Sequence, residues 1–302
     1  MDFRRIRYFV AVFEEGSISR AAERENVAQP ALSVQLRLLE EELSVRLFER
    51  SAQGVQATAA GRHFYRLCQG LLRDLSAVRQ EMLDFGGTIA GPLSLGLMPT
   101  ICRGPLAGIL DAYTRDHPQV DIRIVEAYSG TLADRVVAGE LDLAICNRPA
   151  NQTPLKLRPL YGDRVLLVSG AAKRLEPWLP VRLDAVPDLK LVLPSAHHSL
   201  RRIVDRQIKA GAIRPARLIE IDGLGATMEM VGASDWSTTL PSAAVINDRA
   251  SGRFILNPIA APVLVSEIYV MHRPDMPLSL PAQRMVQMVH EALLAVPAAY
   301  GL

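Results

Sequence analysis

The sequence is short of cysteine. Its 302 positions hold three, Cys68, Cys102 and Cys146, at spacings that fit neither a disulfide framework nor a set of metal ligands. That usage suits a reducing compartment. No apolar run approaches the ~18 residues of a membrane-spanning helix. The opening Met1-Asp2-Phe3-Arg4-Arg5 leads into an amphipathic stretch, not the apolar segment of an export signal, so a cytoplasmic location is expected. A charge excess is also missing: 34 Lys and Arg face 32 Asp and Glu, a net of +2 that names no partner. Motif-spaced Ser, His and Asp, a phosphate loop and a metal-ligand set are all lacking, and His197-His198 find no further ligands. Neither an enzyme nor a cofactor or metal is expected.

What is present is the composition of an ordinary globular protein, 49% hydrophobic and 22% charged, with length for about two domains. The informative stretch is Ser17 to Leu36. Ser17 and Ser19 offer N-cap oxygens. Ala21-Ala22 lets a second helix approach, Val27 fills a turn, and Pro30 suits the first position of a new helix. Leu32, Leu36 and Leu39 then share one face, which leaves Ser33, Gln35 and Arg37 pointing away. Two helices at a steep angle, the second with a short polar face, have the geometry that enters a DNA major groove. Residues 3–14 read as a preceding helix. Val45–Arg50 and Val55–Thr58 read as wing strands turning at Ala52-Gln53-Gly54. Residues 1–58 hold eight Arg, no Lys and nine acids, a net of −1. Charges should therefore be segregated, with Arg4, Arg5, Arg7, Arg37 and Arg50 on the DNA side and Glu40-Glu41-Glu42 at the far end.

From Thr58 a helix is expected to about Phe85. Phe64, Cys68, Leu71, Leu75, Val78, Met82 and Phe85 follow a 4-3-4-3-4-3 spacing, a heptad seam for dimerisation or, alternatively, a face packed on its own domain. Gly86-Gly87 and Gly91-Pro92 end it. Strands at Leu93–Leu97, Val120–Ala127, Leu141–Cys146, Arg164–Val168, Lys190–Leu193, Arg217–Ile221 and Thr238–Leu240 then alternate with helices, the pattern of a parallel sheet with crossovers. Val263–Val270 reads as a strand returning to the first lobe and Gln283–Ala295 as a last helix.

The residues Tyr8-Phe9-Val10-Ala11-Val12, Glu15-Gly16-Ser17, Ala21-Ala22, Val27-Ala28-Gln29-Pro30-Ala31-Leu32-Ser33, Leu39-Glu40-Glu41-Glu42-Leu43, Leu47-Phe48-Glu49-Arg50, Thr58 and Gly61 resemble the DNA-binding domain of LysR-type transcriptional regulators. The resemblance is specific over the first quarter of the chain and one of layout over the rest. It implies an all-α winged helix-turn-helix at 1–58 and a linker or dimerisation helix and hinge at 59–88. At 89–302 it implies a two-lobed α/β effector domain like the periplasmic binding proteins, with lobe I about 89–162 and 265–302 and lobe II about 163–264. It further implies double-stranded operator DNA, a small-molecule effector, a homodimer or homotetramer, and RNA polymerase as partners. Gln29, Pro30 and Ser33 are carried over as DNA contacts, joined by Arg37 and, on the wing, Arg50. Val34 is a departure, since the family usually places a polar or basic residue there; it either packs on a thymine methyl or leaves base reading.

In two-lobed α/β domains ligands bind between the lobes, where strand ends meet helix N-termini. Thr100 and Ile101 follow the first strand of the lobe, and Ser129, Gly130 and Thr131 the second. Arg148 follows the buried strand ending at Cys146. Ser195 and His197 begin the facing helix. Trp236 stands where the family more often has glycines. Hydroxyls, helix N-termini and an arginine suit a carboxylate, although each has a plainer role as helix cap, ion-pair partner or packing. Cys102, near a helix N-terminus, invites a redox alternative. A ligand-independent regulator, an enzyme with a DNA-binding appendage and a transport binding protein are the rivals.

Overall fold

The computed structural model describes residues 1–51, 54–249 and 251–300, without the side chains of residues 50, 51, 73 and 298–300. Positions 52 and 53 of the expected wing turn and the side chain of Arg50 therefore lie outside the described residues. Two compact units emerge, Met1–Met82 and Leu83–Leu302.

In the first unit, α1 (Phe3–Glu15) starts at Asp2, whose carboxylate accepts from the Arg5 backbone N–H at 2.9 Å. It stops at Gly16, where φ is +58°, a conformation that strains any side-chain-bearing residue. Helix α2 (Ile18–Arg24) is capped by Ser17, not Ser19. Asn26 turns the chain at φ +53° into α3 (Gln29–Leu43), so Pro30 is the second helical residue and not the first. Leu32, Leu36 and Leu39 are buried as a stripe. Strands β1 (Phe48–Ser51) and β2 (Gly54–Ala57) form the wing. Thr58 caps α4 (Ala59–Phe85), its Oγ1 accepting from the Gly61 N–H at 2.9 Å.

The heptad seam divides. Phe64 packs 4.9 Å from Phe9, ring to ring, and Cys68 is fully buried in the same core. Cys68 therefore belongs to the unit's own interior, unlike the seam expected of it, and Phe64, half-buried, packs against that interior. Leu71, Leu75, Val78 and Met82 are 42–65% exposed, as is Leu67 at 55%.

In the second unit, β3 (Gly91–Leu97), β4 (Val120–Glu126) and β5 (Leu143–Cys146) are parallel. Between them come α5 (Pro99–Arg103), α6 (Leu106–Asp116) and α7 (Ser129–Val137). Strand β6 (Lys156–Ser169) is much longer than expected, and the expected Arg164–Val168 is only its end. Its first half carries Pro159 and Gly162 and is open to solvent, so the sequence does not read as a strand there. The second lobe adds β7 (Val181–Arg182), β8 (Lys190–Leu193), α8 (Ser199–Lys209), β9 (Arg217–Glu220), α9 (Leu224–Gly232) and β10 (Ser237–Pro241). Strand β11 (Ile255–Ala261), broken in sequence by Asn257-Pro258, goes unseen for the same reason. The chain returns through β12 (Val265–His272) to α10 (Leu280–Tyr300).

The strand order β4-β3-β5-β12-β6-β10-β8-β9 places β6 in both lobes. Its start pairs antiparallel with β12 and residues 165–169 pair antiparallel with β10, so the parallel sheet expected throughout is mixed, because the strand that runs through both lobes lies beside strands running the opposite way. One continuous strand thus links the lobes, with β12 beside it. Asp163, on β6 and fully buried, accepts from the N–H groups of Ser242 (3.2 Å) and Ala243 (3.0 Å). Burial raises its carboxyl pKa against the effect of these donors. They open a 3-10 segment, Ser242–Asp248, tied to the first lobe by Arg103, which pairs with Asp248 and donates to the Ala244 carbonyl at 2.6 Å. Gly104 is required at this junction: a Cβ there would lie 2.0 Å from the Ala243 oxygen.

Candidate DNA-binding face and effector cleft

The first residues of α3 present Gln29, Pro30, Val34 and Arg37 to solvent, with Ser33 half-buried. Gln29 Nε2 donates to Ser33 Oγ at 3.0 Å, so the two polar groups are oriented together before any partner arrives. Ala28 supplies no side-chain cap, which leaves the first-turn N–H groups without the usual side-chain acceptor. Such a helix start suits a phosphate, and Gln suits an adenine edge. Val34 is 43% exposed on this face, which fits contact with a base methyl better than packing in its own domain. Arg37 lies 3.5 Å from Glu41, one turn on.

The expected segregation of charge does not hold for Arg5, Arg7 and Arg37, each of which lies beside an acid. Arg5 pairs with Glu42 (3.0 Å), Arg7 with Glu25 (2.7 Å) and Arg24 with Glu14 (2.7 Å). Neighbouring opposite charges neutralise one another instead of parting. Glu40 is no mere far-end charge either. Its Oε1 accepts from the N–H groups of Leu47 (2.7 Å) and Phe48 (3.1 Å), fixing the start of the wing to α3.

Between the lobes of the second unit lies a cavity of about 610 Å³. Thr100, Ser129, Gly130, Thr131, Ser195 and His197 all line it. Three expected residues do not. Ile101 is 1% exposed in the core, because its position in α5 faces the sheet. Arg148 is exposed outside the cavity, its guanidinium 5.2 Å from the Tyr269 ring centre. Trp236 is 9% exposed and packs beneath Arg217. The residue before Arg148 is the one that turns inward. Asn147, buried, lines the cavity, donates to Ser266 Oγ (2.9 Å) and to the Glu267 carbonyl (2.6 Å), and accepts from Ser199 Oγ (2.6 Å). Successive residues leaving a strand point to opposite faces, so a choice one residue off reverses the side.

Hydrogen bonds that cross the cleft include Ser199 to Asn147 and Tyr128 Oη to the Asp222 carbonyl, at 2.6 Å, with a longer one from Arg202 to the Arg148 carbonyl, at 3.5 Å. Tyr128 also meets the His198 ring edge-on, centroids 3.7 Å apart. Asp222 Oδ1 accepts from the Ser195 N–H (2.7 Å) and lies 3.1 Å from His198 Nε2. The Ser195 backbone donor holds the Asp222 carboxyl below the usual carboxylate range. Burial pushes His198 below 6.5 although Asp222 opposes it, so at neutral pH the ring is mainly uncharged and presents Nε2–H to Asp222. Thr100 Oγ1 and Thr239 Oγ1, on residues of the cavity wall, are buried with no hydrogen-bond partner among the described residues.

The cysteines offer no activated thiol. Burial, and Glu126 beside it, push Cys102 up to about 12, and burial pushes Cys146 to about 12 and Cys68 to about 11. In Cys102 this outweighs the pull of the helix end. Among the described residues no helix is long and apolar enough to cross a membrane, and no group of three or more residues is placed to hold a metal ion.

Comparison with known proteins agrees with both units. Residues 3–62 match the pattern "Bacterial regulatory helix-turn-helix protein, lysR family", and residues 86–294 match "LysR substrate binding domain". The hydrogen peroxide-inducible genes activator of Dickeya chrysanthemi is 30% identical over 96% of this chain and 95% of its own. The nitrogen assimilation regulatory protein nac of Klebsiella aerogenes is 29% identical over 81% of this chain and 79% of its own. In fold, a Corynebacterium glutamicum OxyR C206 mutant covers 99% of this chain and 95% of that one with a TM-score of 0.71 at 24% identity. CbnR, solved with its target DNA, covers 97% and 100% with a TM-score of 0.66 at 21% identity. With both of its units matched, the chain belongs to the LysR family and is a DNA-binding transcription regulator with an effector-binding domain.

Proposed function

We propose that this regulator is controlled by a small carboxylate-bearing co-inducer held between the lobes of residues 89–302, with residues 1–58 reading the operator and 59–88 joining two copies. The observation that carries this is the inter-lobe cavity, whose walls come from both lobes and are linked by Tyr128–Asp222 and Asn147–Ser199. Its volume falls within the roughly 300–1,000 Å³ of small-molecule sites. A ligand touching both walls favours one lobe angle by its differential affinity for that angle. Partners for the unmet Thr100 and Thr239 hydroxyls add to that preference, at about 1–3 kcal/mol per buried group. The shift would alter how the effector domains pack in a dimer or tetramer, and so the spacing of DNA half-sites and the surface offered to RNA polymerase.

Gln29, Pro30, Ser33, Val34 and Arg37, with Arg50 of the wing, are the proposed DNA contacts. Ser33→Ala is expected to weaken operator binding by about 1–3 kcal/mol, roughly 5- to 150-fold, without unfolding the chain. A gel shift with unchanged affinity would remove Ser33 from the interface. A thermal-shift panel of organic, aromatic and amino acids tests the cleft, since a ligand of the native state raises its melting temperature.

The relatives that respond to hydrogen peroxide favour a redox reading by name. The thiols here oppose it, because a nucleophilic cysteine needs a lowered pKa and Cys102 and Cys146 have raised ones.

A further inference from the structure

Charged side chains line the cleft sparsely. Asp134 stands on α7 in the first lobe and Arg202 on α8 in the second, and both face the same cavity. Among the described residues neither is ion-paired, with the other or with a third group. Arg202 donates to the carbonyl oxygens of His197 (2.7 Å) and Arg148 (3.5 Å), which hold the guanidinium in place without neutralising it. The remaining acid of the lining, Asp222, is already occupied by the Ser195 N–H and His198. The cleft therefore carries, among hydroxyls, amides and apolar side chains, a cation with only carbonyl partners on one wall and, on the other, Asp134, an acid with no hydrogen-bond or ion-pair partner for its carboxylate among the described residues; Asp222 keeps its charge but has its Oδ1 taken up by the Ser195 N–H and His198.

The geometry points to a zwitterionic effector, an α-amino acid or close relative, whose carboxylate pairs with Arg202 and whose ammonium pairs with Asp134. This rests on the cleft being the effector site. A simple carboxylic acid satisfies Arg202 and leaves Asp134 without a counter-charge. A dicarboxylate brings a second negative charge towards Asp134. A plain amine leaves Arg202 unpaired. The planar guanidinium fork suits a carboxylate and is always charged. Because the two charges sit on different lobes, a ligand bridging them binds best at one lobe angle, which makes recognition and closure the same event. Asp134 is exposed, so water screens its share, and the ammonium is expected to strengthen binding by about tenfold at most.

The test uses the full-length chain, by calorimetry and thermal shift, against the standard L-amino acids. Each one that binds is followed by its skeleton without the amine and its skeleton without the carboxylate, for example phenylalanine, 3-phenylpropanoate and phenethylamine. At least one amino acid is expected to bind, with its deaminated acid several-fold weaker and its amine weaker still. Asp134→Asn should bring the ratio between amino acid and acid towards one, and Arg202→Gln should abolish binding of both. Circular dichroism melts show whether each variant is folded. Acids that bind as well as their amino acids, or a ratio unmoved by Asp134→Asn, would overturn the zwitterion and leave the carboxylate cleft standing. If neither amino acids nor acids bind, both proposals fall.

Discussion

Asn147 ties the first-lobe wall of the cleft to the second lobe, and replacing it with leucine should show what that is worth. The side chain is buried and makes three hydrogen bonds, two within the first lobe and one from Ser199 across the cleft. Leucine has nearly the same shape and makes none of them. Each neutral hydrogen bond is worth about 0.5–1.5 kcal/mol net, and a partner left buried and unsatisfied adds to the cost, which together gives about 2–4 kcal/mol. A unit of this size loses roughly 2–4 °C of melting temperature per kcal/mol, so a fall of about 5–15 °C is expected by differential scanning calorimetry. Ser199→Ala removes the cross-lobe bond alone and should cost about 1 kcal/mol. The two effects should not add, because the shared bond can be lost only once. A ligand that requires closure would also bind Ser199→Ala about fivefold more weakly. A melting temperature within ~2 °C of the parent for Asn147→Leu, or strict additivity of the pair, would refute this account.

Other expectations concern the remaining parts of the chain. Glu40→Ala should destabilise the DNA-binding unit by about 2–4 kcal/mol and weaken operator binding, because two wing N–H groups lose a charged acceptor, whereas Glu40→Gln should retain much of the effect; equal melting curves for Ala and parent would contradict it. With thiols near 12, Cys102 and Cys146 should be thiolate to only about one part in ten thousand at pH 8, so a colorimetric thiol reagent should label native protein far more slowly than unfolded protein. Fast native labelling would reopen the redox reading. Leu75→Glu places a charge in the exposed stripe of α4 and should shift the assembly towards monomer in analytical ultracentrifugation, since each buried Leu contributes about 1.5–3 kcal/mol. An unchanged sedimentation coefficient would move the interface elsewhere.

The sequence by itself determined the elements whose signals are local. Ser17 as a cap, the turn before Gln29 and the leucines at 32, 36 and 39 are written within a few residues of one another, and that defined the helix-turn-helix and its polar face. The strand and helix alternation after Gly91 was legible for the same reason, as were the cleft positions Thr100, Ser129, Thr131 and Ser195 at strand ends. Tertiary structure decided what depends on distant partners. Lys156–Tyr161 is polar and holds a proline, yet it is a strand because β12 lies alongside it. Phe64 and Cys68 have the same spacing as Leu71 and Leu75, but only the first two meet the core around Phe9. Arg148 and Asn147 are adjacent in sequence, and the twist of the chain leaving β5 turns the asparagine inward. Arg202 and Asp134 carry no motif; the fold brings them to opposite walls of one cavity because β6 runs through both lobes. Spacing along a chain fixes which face of an element is apolar, while the partner that covers that face is fixed only when elements far apart in sequence pack together.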